Sequence, residues 1–190
     1  MLIKALIFLT LISACVSESA WGQCPVTYKE GAEFRLNDYL GKWYEIARHK
    51  TIPFQKGECT TAEYSLNAAG NVAVHNKEKL GGSGYSDISA EGYKTDDPFR
   101  FKIDFGKSFW SKYFKGDYRV VNTDYKNYTI VYSCSDYFFG KFYFAWILSR
   151  TPELSQVHLD NILAELETKY DISKAEMHFT DQSLENCGEH

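Results

Sequence analysis

By residue type, Cys24, Cys59, Cys134 and Cys187 offer the most chemistry in this 190-residue chain. None lies in a C-x-x-C pair, and the wide spacing fits neither a redox motif nor the usual zinc patterns. In an exported protein an even set of four implies two disulfides, with three ways to connect them. If all four pair, none is left as a nucleophile. The five histidines, His49, His75, His158, His178 and His190, show no H-x-x-x-H or similar ligand spacing, so no metal is expected. No G-x-S-x-G nucleophile motif occurs. Glu45 can face an interior, but one buried carboxylate is more often paired than catalytic. These residues argue against an enzyme, and no cofactor is expected.

Composition is ordinary for a soluble globular protein. Hydrophobic residues make up 44% and charged residues 24%, with a formal net charge of −4. That gives no basic face for nucleic acid. The aromatic fraction is high at 16%, with 14 Tyr, 13 Phe and 4 Trp, and aromatic side chains favour pleated sheet. At the N-terminus Lys4 precedes an uncharged apolar run, Ala5 to Val16, shorter than the ~20 residues of a membrane-spanning helix. Ala20-Trp21-Gly22 then offers a small-x-small cleavage pattern. Residues 1–22 therefore read as a signal peptide, cleaved after Ser17 at the earliest, and 23–190 as one secreted domain. Ile12-Ser13-Ala14-Cys15 loosely resembles a bacterial lipobox, which would anchor the chain through Cys15 only in a bacterial host.

The elements that must position any site are short alternating runs. Phe99, Phe101, Ile103 and Phe105 alternate with Arg100, Lys102 and Asp104, a period of two. Similar runs start near Trp43, Thr60, Val72, Ile88, Tyr118, Thr129 and Phe142, each ended by a turn signal. Eight short strands at such intervals predict a sandwich or an up-and-down barrel. Leu159, Ile162, Leu163, Leu166 and Tyr170 recur instead at helical spacing, with Ser155 as a candidate N-cap. That stripe is expected to pack on the outer wall of the sheet, and Met177 to Thr180 to add a short ninth strand.

Three segments resemble the lipocalin family. Gly41-Lys42-Trp43 matches its G-x-W motif, Thr123-Asp124-Tyr125 its T-D-Y hairpin, and Arg150 the arginine that ends its eighth strand. Longer stretches, from Tyr39 to Arg48, Val131 to Cys134 and Ala145 to Arg150, are similar to the apolipoprotein D-like group and the related bacterial outer-membrane lipocalins. The resemblance implies an all-β fold, an eight-stranded antiparallel up-and-down barrel with one flanking C-terminal helix. It implies pairings Cys24–Cys134 and Cys59–Cys187, and makes Trp43 and Arg150 a structural cation–π contact at the closed end.

Strand parity, combined with the family's inward positions, points Ala62, Tyr64, Val74, Asn76, Phe101, Ile103, Phe105, Tyr118, Val120, Val131, Phe144 and Trp146 inward. Tyr39 is placed near the closed end. Such a lining suits one small hydrophobic ligand of the fatty acid, lysolipid, sterol or retinoid class. Arg100, Lys102 and Arg119 have outward parity, which leaves no cationic clamp inside. The Trp146 N–H is expected to face the ligand. Phe109, Trp110, Phe138 and Phe139 in the mouth loops suit either a membrane or lipoprotein surface or a lid. The resemblance further implies a carrier linked to lipid metabolism and oxidative stress, a monomer being expected. A receptor-docking protein is the alternative, and a lipid-modifying isomerase a weaker one. Asn127-Tyr128-Thr129 is a glycosylation sequon at a turn.

Overall fold

The protein is described from a computed structural model, which covers residues 23–25, 33–82, 84–106, 116–138 and 140–188. The leader with Cys15, and Phe109, Trp110, Phe139 and His190, lie outside the described residues.

A one-turn helix α1 (Leu36–Tyr39) leads into β1 (Gly41–His49), followed by β2 (Glu58–Leu66), β3 (Val72–Lys79) and β4 (Tyr85–Lys94). Next come β5 (Arg100–Asp104), β6 (Gly116–Thr123), β7 (Tyr128–Tyr137) and β8 (Gly140–Ser149). Helix α2 (Gln156–Tyr170), β9 (Met177–Phe179) and a short α3 (Leu184–Cys187) complete the chain. Each of β2 to β8 pairs antiparallel with its sequence neighbour, and β1 closes the ring between β8 and β2. β9 adds to β1 beside that closure. This is the predicted eight-stranded barrel, closed so that no long edge is left unpaired.

Two apolar cores divide the buried side chains. One lies outside the barrel, where Ile162, Leu163, Leu166 and Tyr170 of α2 cover Ile130, Tyr132, Ala145 and Ile147. The helical stripe seen in the sequence is thus the face buried on the sheet, and Ser155 Oγ caps the helix by accepting from His158 N–H at 3.3 Å. The other core plugs one barrel end with Tyr39, Trp43, Val72, Phe101, Val120 and Leu148 among its members.

The resemblance motifs meet at that plugged end. The Arg150 guanidinium lies 3.7 Å from the centre of the Trp43 ring, and donates to the carbonyls of Asp38, Lys42 and Tyr125. Gly41 beside it has φ +94°, which glycine adopts without the steric cost other residues meet. In the T-D-Y turn, Thr123 Oγ1 donates to Tyr128 O at 2.8 Å, while Asp124 Oδ1 accepts from the N–H groups of Lys126, Asn127 and Tyr128. Those bonds hold the turn so that the Tyr125 carbonyl reaches Arg150.

Disulfides Cys24–Cys134 and Cys59–Cys187 staple the N-terminal segment and the C-terminal tail to the barrel, as the resemblance implies. They span 110 and 128 residues. On a chain-entropy basis, loops of that length stabilise by about 4.7 kcal/mol as an upper figure. Asp117, on β6 at the cavity border, accepts from Arg100 at 2.6 Å, Lys102 at 3.0 Å and Arg119 at 2.5 Å. The three cations of outward parity thus share one buried carboxylate and stay out of the interior.

Candidate functional site

Above the plug the barrel interior is open, with a cavity of about 320 Å³. Its wall carries Ala62, Tyr64, Val74, Asn76, Ile103, Phe105, Tyr118, Val131, Phe144 and Trp146 from the expected set. Tyr39 lies at the closed end as expected, and Phe101 and Val120 do not line the cavity. They face inward but lie lower, packed with Trp43 in the plug. Parity tells the face of a strand and not the height along it, and height separates plug from cavity wall. Parity would also have found Ile88, Ser133 and Leu148, which share the faces of Asn76, Val131 and Trp146. Gln55, in the loop after β1, carried no periodic signal.

A second difference concerns β1. Glu45 is level with Leu148 of β8, whereas Arg48 is level with Trp146, because the pairing register shifts between Glu45 and Ala47. In a regular strand residues three apart point to opposite faces. The bulge puts both on the interior side, and Arg48 Nη1 donates to Glu45 Oε1 at 2.7 Å with both side chains almost wholly buried. Thr180 Oγ1 also donates to Oε1, at 2.5 Å, and Gln55 Nε2 donates to Oε2. Burial pushes the Glu45 carboxyl above the usual carboxylate range, while Arg48, Thr180 and Gln55 pull the other way. Glu45 is therefore a paired structural carboxylate.

Gln55 ties this ion pair to the cavity wall. Its Oε1 accepts the Trp146 Nε1–H at 2.9 Å, so the indole N–H faces Gln55 and is not turned to a ligand, a correction to the expectation from sequence. The loop is also held by Glu78, whose Oε2 accepts from Gly57 N–H at 2.6 Å and Lys56 N–H at 3.1 Å. A Cβ at Gly57 would stand 2.6 Å from the Lys79 carbonyl, so only glycine fits there. Ile52 is fully buried, and Phe54 leans edge-on against Phe144 at 5.8 Å, so part of this first mouth loop folds over the cavity. Phe138, in contrast, is 94% exposed. Trp146→Phe should strip Gln55 Oε1 of its donor, at a cost of about 1 kcal/mol. A melting temperature lower by ~2–4 °C would show it. An unchanged melt would mean that the Gln55 link adds nothing.

The floor is a chain of hydroxyls. Tyr118 Oη lies 2.7 Å from Tyr39 Oη and 2.9 Å from Tyr64 Oη, and Tyr39 Oη lies 3.3 Å from Thr129 Oγ1. Burial is the main reason that all three phenols titrate high, Tyr39 at about 12 and Tyr64 and Tyr118 higher still. They keep their protons near neutral pH. Asn127, in the turn below, is exposed, and its Nδ2 donates to Asp124 Oδ2 at 2.6 Å.

A sequence model of the lipocalin / cytosolic fatty-acid binding protein family matches residues 40–184. The chain belongs to the lipocalin family. Among relatives, it is 36% identical over 172 residues to bovine apolipoprotein D, a match covering 88% of this chain and 86% of that one. It is 31% identical to the outer membrane lipoprotein Blc of Vibrio cholerae, over 73% of this chain and 78% of the other. Among solved structures, insecticyanin from the tobacco hornworm Manduca sexta superposes with a TM-score of 0.71. That match is 24% identical and covers 88% of this chain and 90% of that one, so it speaks for the lipocalin fold alone. In lipocalin terms, the plug is the closed end of the barrel.

Proposed function

We propose that this lipocalin is an extracellular carrier that holds one small hydrophobic ligand, of fatty acid, lysolipid, sterol or retinoid class, in the barrel cavity. The observation that carries the reading is the cavity of about 320 Å³, stopped at one end by the Trp43 plug and walled by Val74, Ile103, Phe105, Val131, Phe144 and Trp146. That size and character, apolar with a few polar groups, is typical of a small-molecule site. Two long-range disulfides support secretion, since such bonds persist in oxidising compartments. The four described cysteines are paired, which removes the thiol that an isomerase reading would use. A part in lipid metabolism and in tolerance of oxidative stress, implied by the sequence resemblance, belongs to the same proposal.

Titration with an apolar ligand such as retinol or oleic acid should change tryptophan emission, with one-to-one stoichiometry. Trp146 is the reporter, in the cavity wall and 6.0 Å from Phe144 between ring centres. A broad apolar panel that leaves the emission unchanged would end the carrier reading. A second reading rests on Phe138 and Tyr137, exposed side by side at the β7–β8 turn, as a docking patch for a membrane or lipoprotein surface. Vesicle co-sedimentation of the protein and of a Phe138→Ser variant tests it. Equal recovery of the two would overturn it.

A further inference from the structure

The hydroxyls at the cavity floor have a direction. The Asn122 carbonyl can only accept, and Thr129 Oγ1 donates to it at 3.4 Å. Thr129 then has lone pairs and no proton to offer Tyr39, so Tyr39 donates to Thr129, Tyr118 to Tyr39, and Tyr64 to Tyr118. Every proton in the run is spent downward. The run ends at Tyr64, a cavity-lining residue whose Oη retains only lone pairs. One step along the same inward face stands Asn76, since Tyr64 pairs with Val74 and Ala62 with Asn76. Its side-chain amide lines the cavity, and its buried Oδ1 has no hydrogen-bond partner.

The charges nearby argue against an anion at this level. Lys77, which also lines the cavity, holds its ammonium 4.5 Å from the Tyr85 ring centre, and Arg100, Lys102 and Arg119, which do not line it, are paired with Asp117, a carboxylate at the cavity border like Glu78. Glu45, with its carboxyl buried against Arg48, also lines the cavity. An acceptor-only phenol end and, one step along the same inward face, an amide oxygen with no partner both call for a group that donates a hydrogen bond. A neutral alcohol can donate, whereas a carboxylate and an ether cannot.

We propose that Tyr64 and Asn76 form a polar subsite at the cavity floor that selects lipids entering with a neutral hydroxyl foremost. The ligand hydroxyl donates to the acceptors this floor leaves open, Tyr64 Oη and Asn76 Oδ1, and acids are held less tightly. This rests on the carrier reading and narrows its ligand class to alcohols.

The test uses the disulfide-bonded protein and three probes with one polyene skeleton: retinol, retinyl methyl ether and retinoic acid. Tryptophan quenching should show retinol binding about tenfold tighter than either of the others, the worth of one well-made hydrogen bond. Tyr64→Phe combined with Tyr118→Phe ends the run at Tyr39, below the cavity, and should bring retinol down to the level of the ether, which itself stays unchanged. Asn76→Leu removes an amide with no protein partner, so the fold keeps all its bonds, and it should reduce the retinol preference on its own. Retinoic acid binding tightest, or a retinol preference that survives in Asn76→Leu and in the tyrosine double variant, would overturn the proposal. Equal binding of all three probes would overturn the alcohol preference and leave the carrier reading standing. Failure of all three, together with the wider apolar panel, would remove the carrier reading and the subsite with it.

Discussion

Replacing Trp43 with Ala is expected to destabilise the protein by about 3–5 kcal/mol, the usual cost of emptying a buried aromatic site. Trp43 is fully buried, donates its Nε1–H to the Tyr39 carbonyl at 2.9 Å, and lies against the Arg150 guanidinium. For a protein of this length, that cost corresponds to a fall of ~6–20 °C in melting temperature. Trp43→Phe keeps a ring under Arg150 and should lose markedly less. The comparison separates packing from the indole bond, and a Trp43→Ala protein that melts within a degree or two of the parent would show that the plug does not hold the barrel end. Arg150 itself should stay in place in Trp43→Phe, because its hydrogen bonds go to backbone carbonyls and not to the ring.

A loss of similar size is expected from Glu45→Ala. The substitution strands Arg48, whose side chain is 6% exposed, with its nearest anion gone, and breaking a buried ion pair from one side costs about 3–5 kcal/mol. It also frees Gln55 Nε2 and so loosens the loop that carries Phe54 over the cavity. Adding Arg48→Met should recover much of the loss, since removing both charges leaves no unpaired one. If the double variant is no better than the single, the pair is not what holds the site. Glu45 also sets a pH dependence. Its carboxyl titrates above the ordinary value of about 4.3, so folding favours the protonated form. Its contribution is present in full below the ordinary value and is lost as pH rises through the raised one. Urea midpoints should therefore fall with rising pH in that window, and Glu45→Gln should flatten the slope. Asp117 acts with the opposite sign. Burial raises its carboxyl, but the hydrogen bonds from Arg100, Lys102 and Arg119 outweigh that and hold it below the usual range. Its contribution is present above the ordinary aspartate value of about 3.9 and is lost as pH falls through the lowered one, so the two effects occupy separate windows.

The pH effect and the floor subsite share a cause in the burial of polar groups. Around a cavity of this kind each polar group is either paired within the wall, as Glu45, Gln55 and Trp146 are, or left for the ligand, as the Asn76 amide is. Which of the two applies to a given side chain depends on groups far away in sequence. Thr180, 135 residues from Glu45, supplies one of its donors.

The amino-acid sequence alone determined the strands, the α2 stripe and its Ser155 cap, because each is written in neighbours a few residues apart and in side-chain periodicity. Parity together with the family resemblance also indicated which face of β2, β3, β7 and β8 looks inward, as Tyr64, Val74, Val131 and Trp146 illustrate. The meeting of Gly41, Trp43, Tyr125 and Arg150 was legible through short motifs whose residues contact one another at the closed end. Height in the barrel was not legible. Phe101 and Val120 obey the inward parity yet belong to the plug, because closure and tilt of the sheet set how deep each inward residue lies. Nor could alternation reveal the bulge after Glu45, since a register shift depends on how β1 pairs with β8 and not on β1 itself. The turn of the Trp146 N–H toward Gln55, the Glu45–Arg48 pair and the direction of the tyrosine run were decided only by tertiary structure, because each depends on partners brought together across the closed sheet.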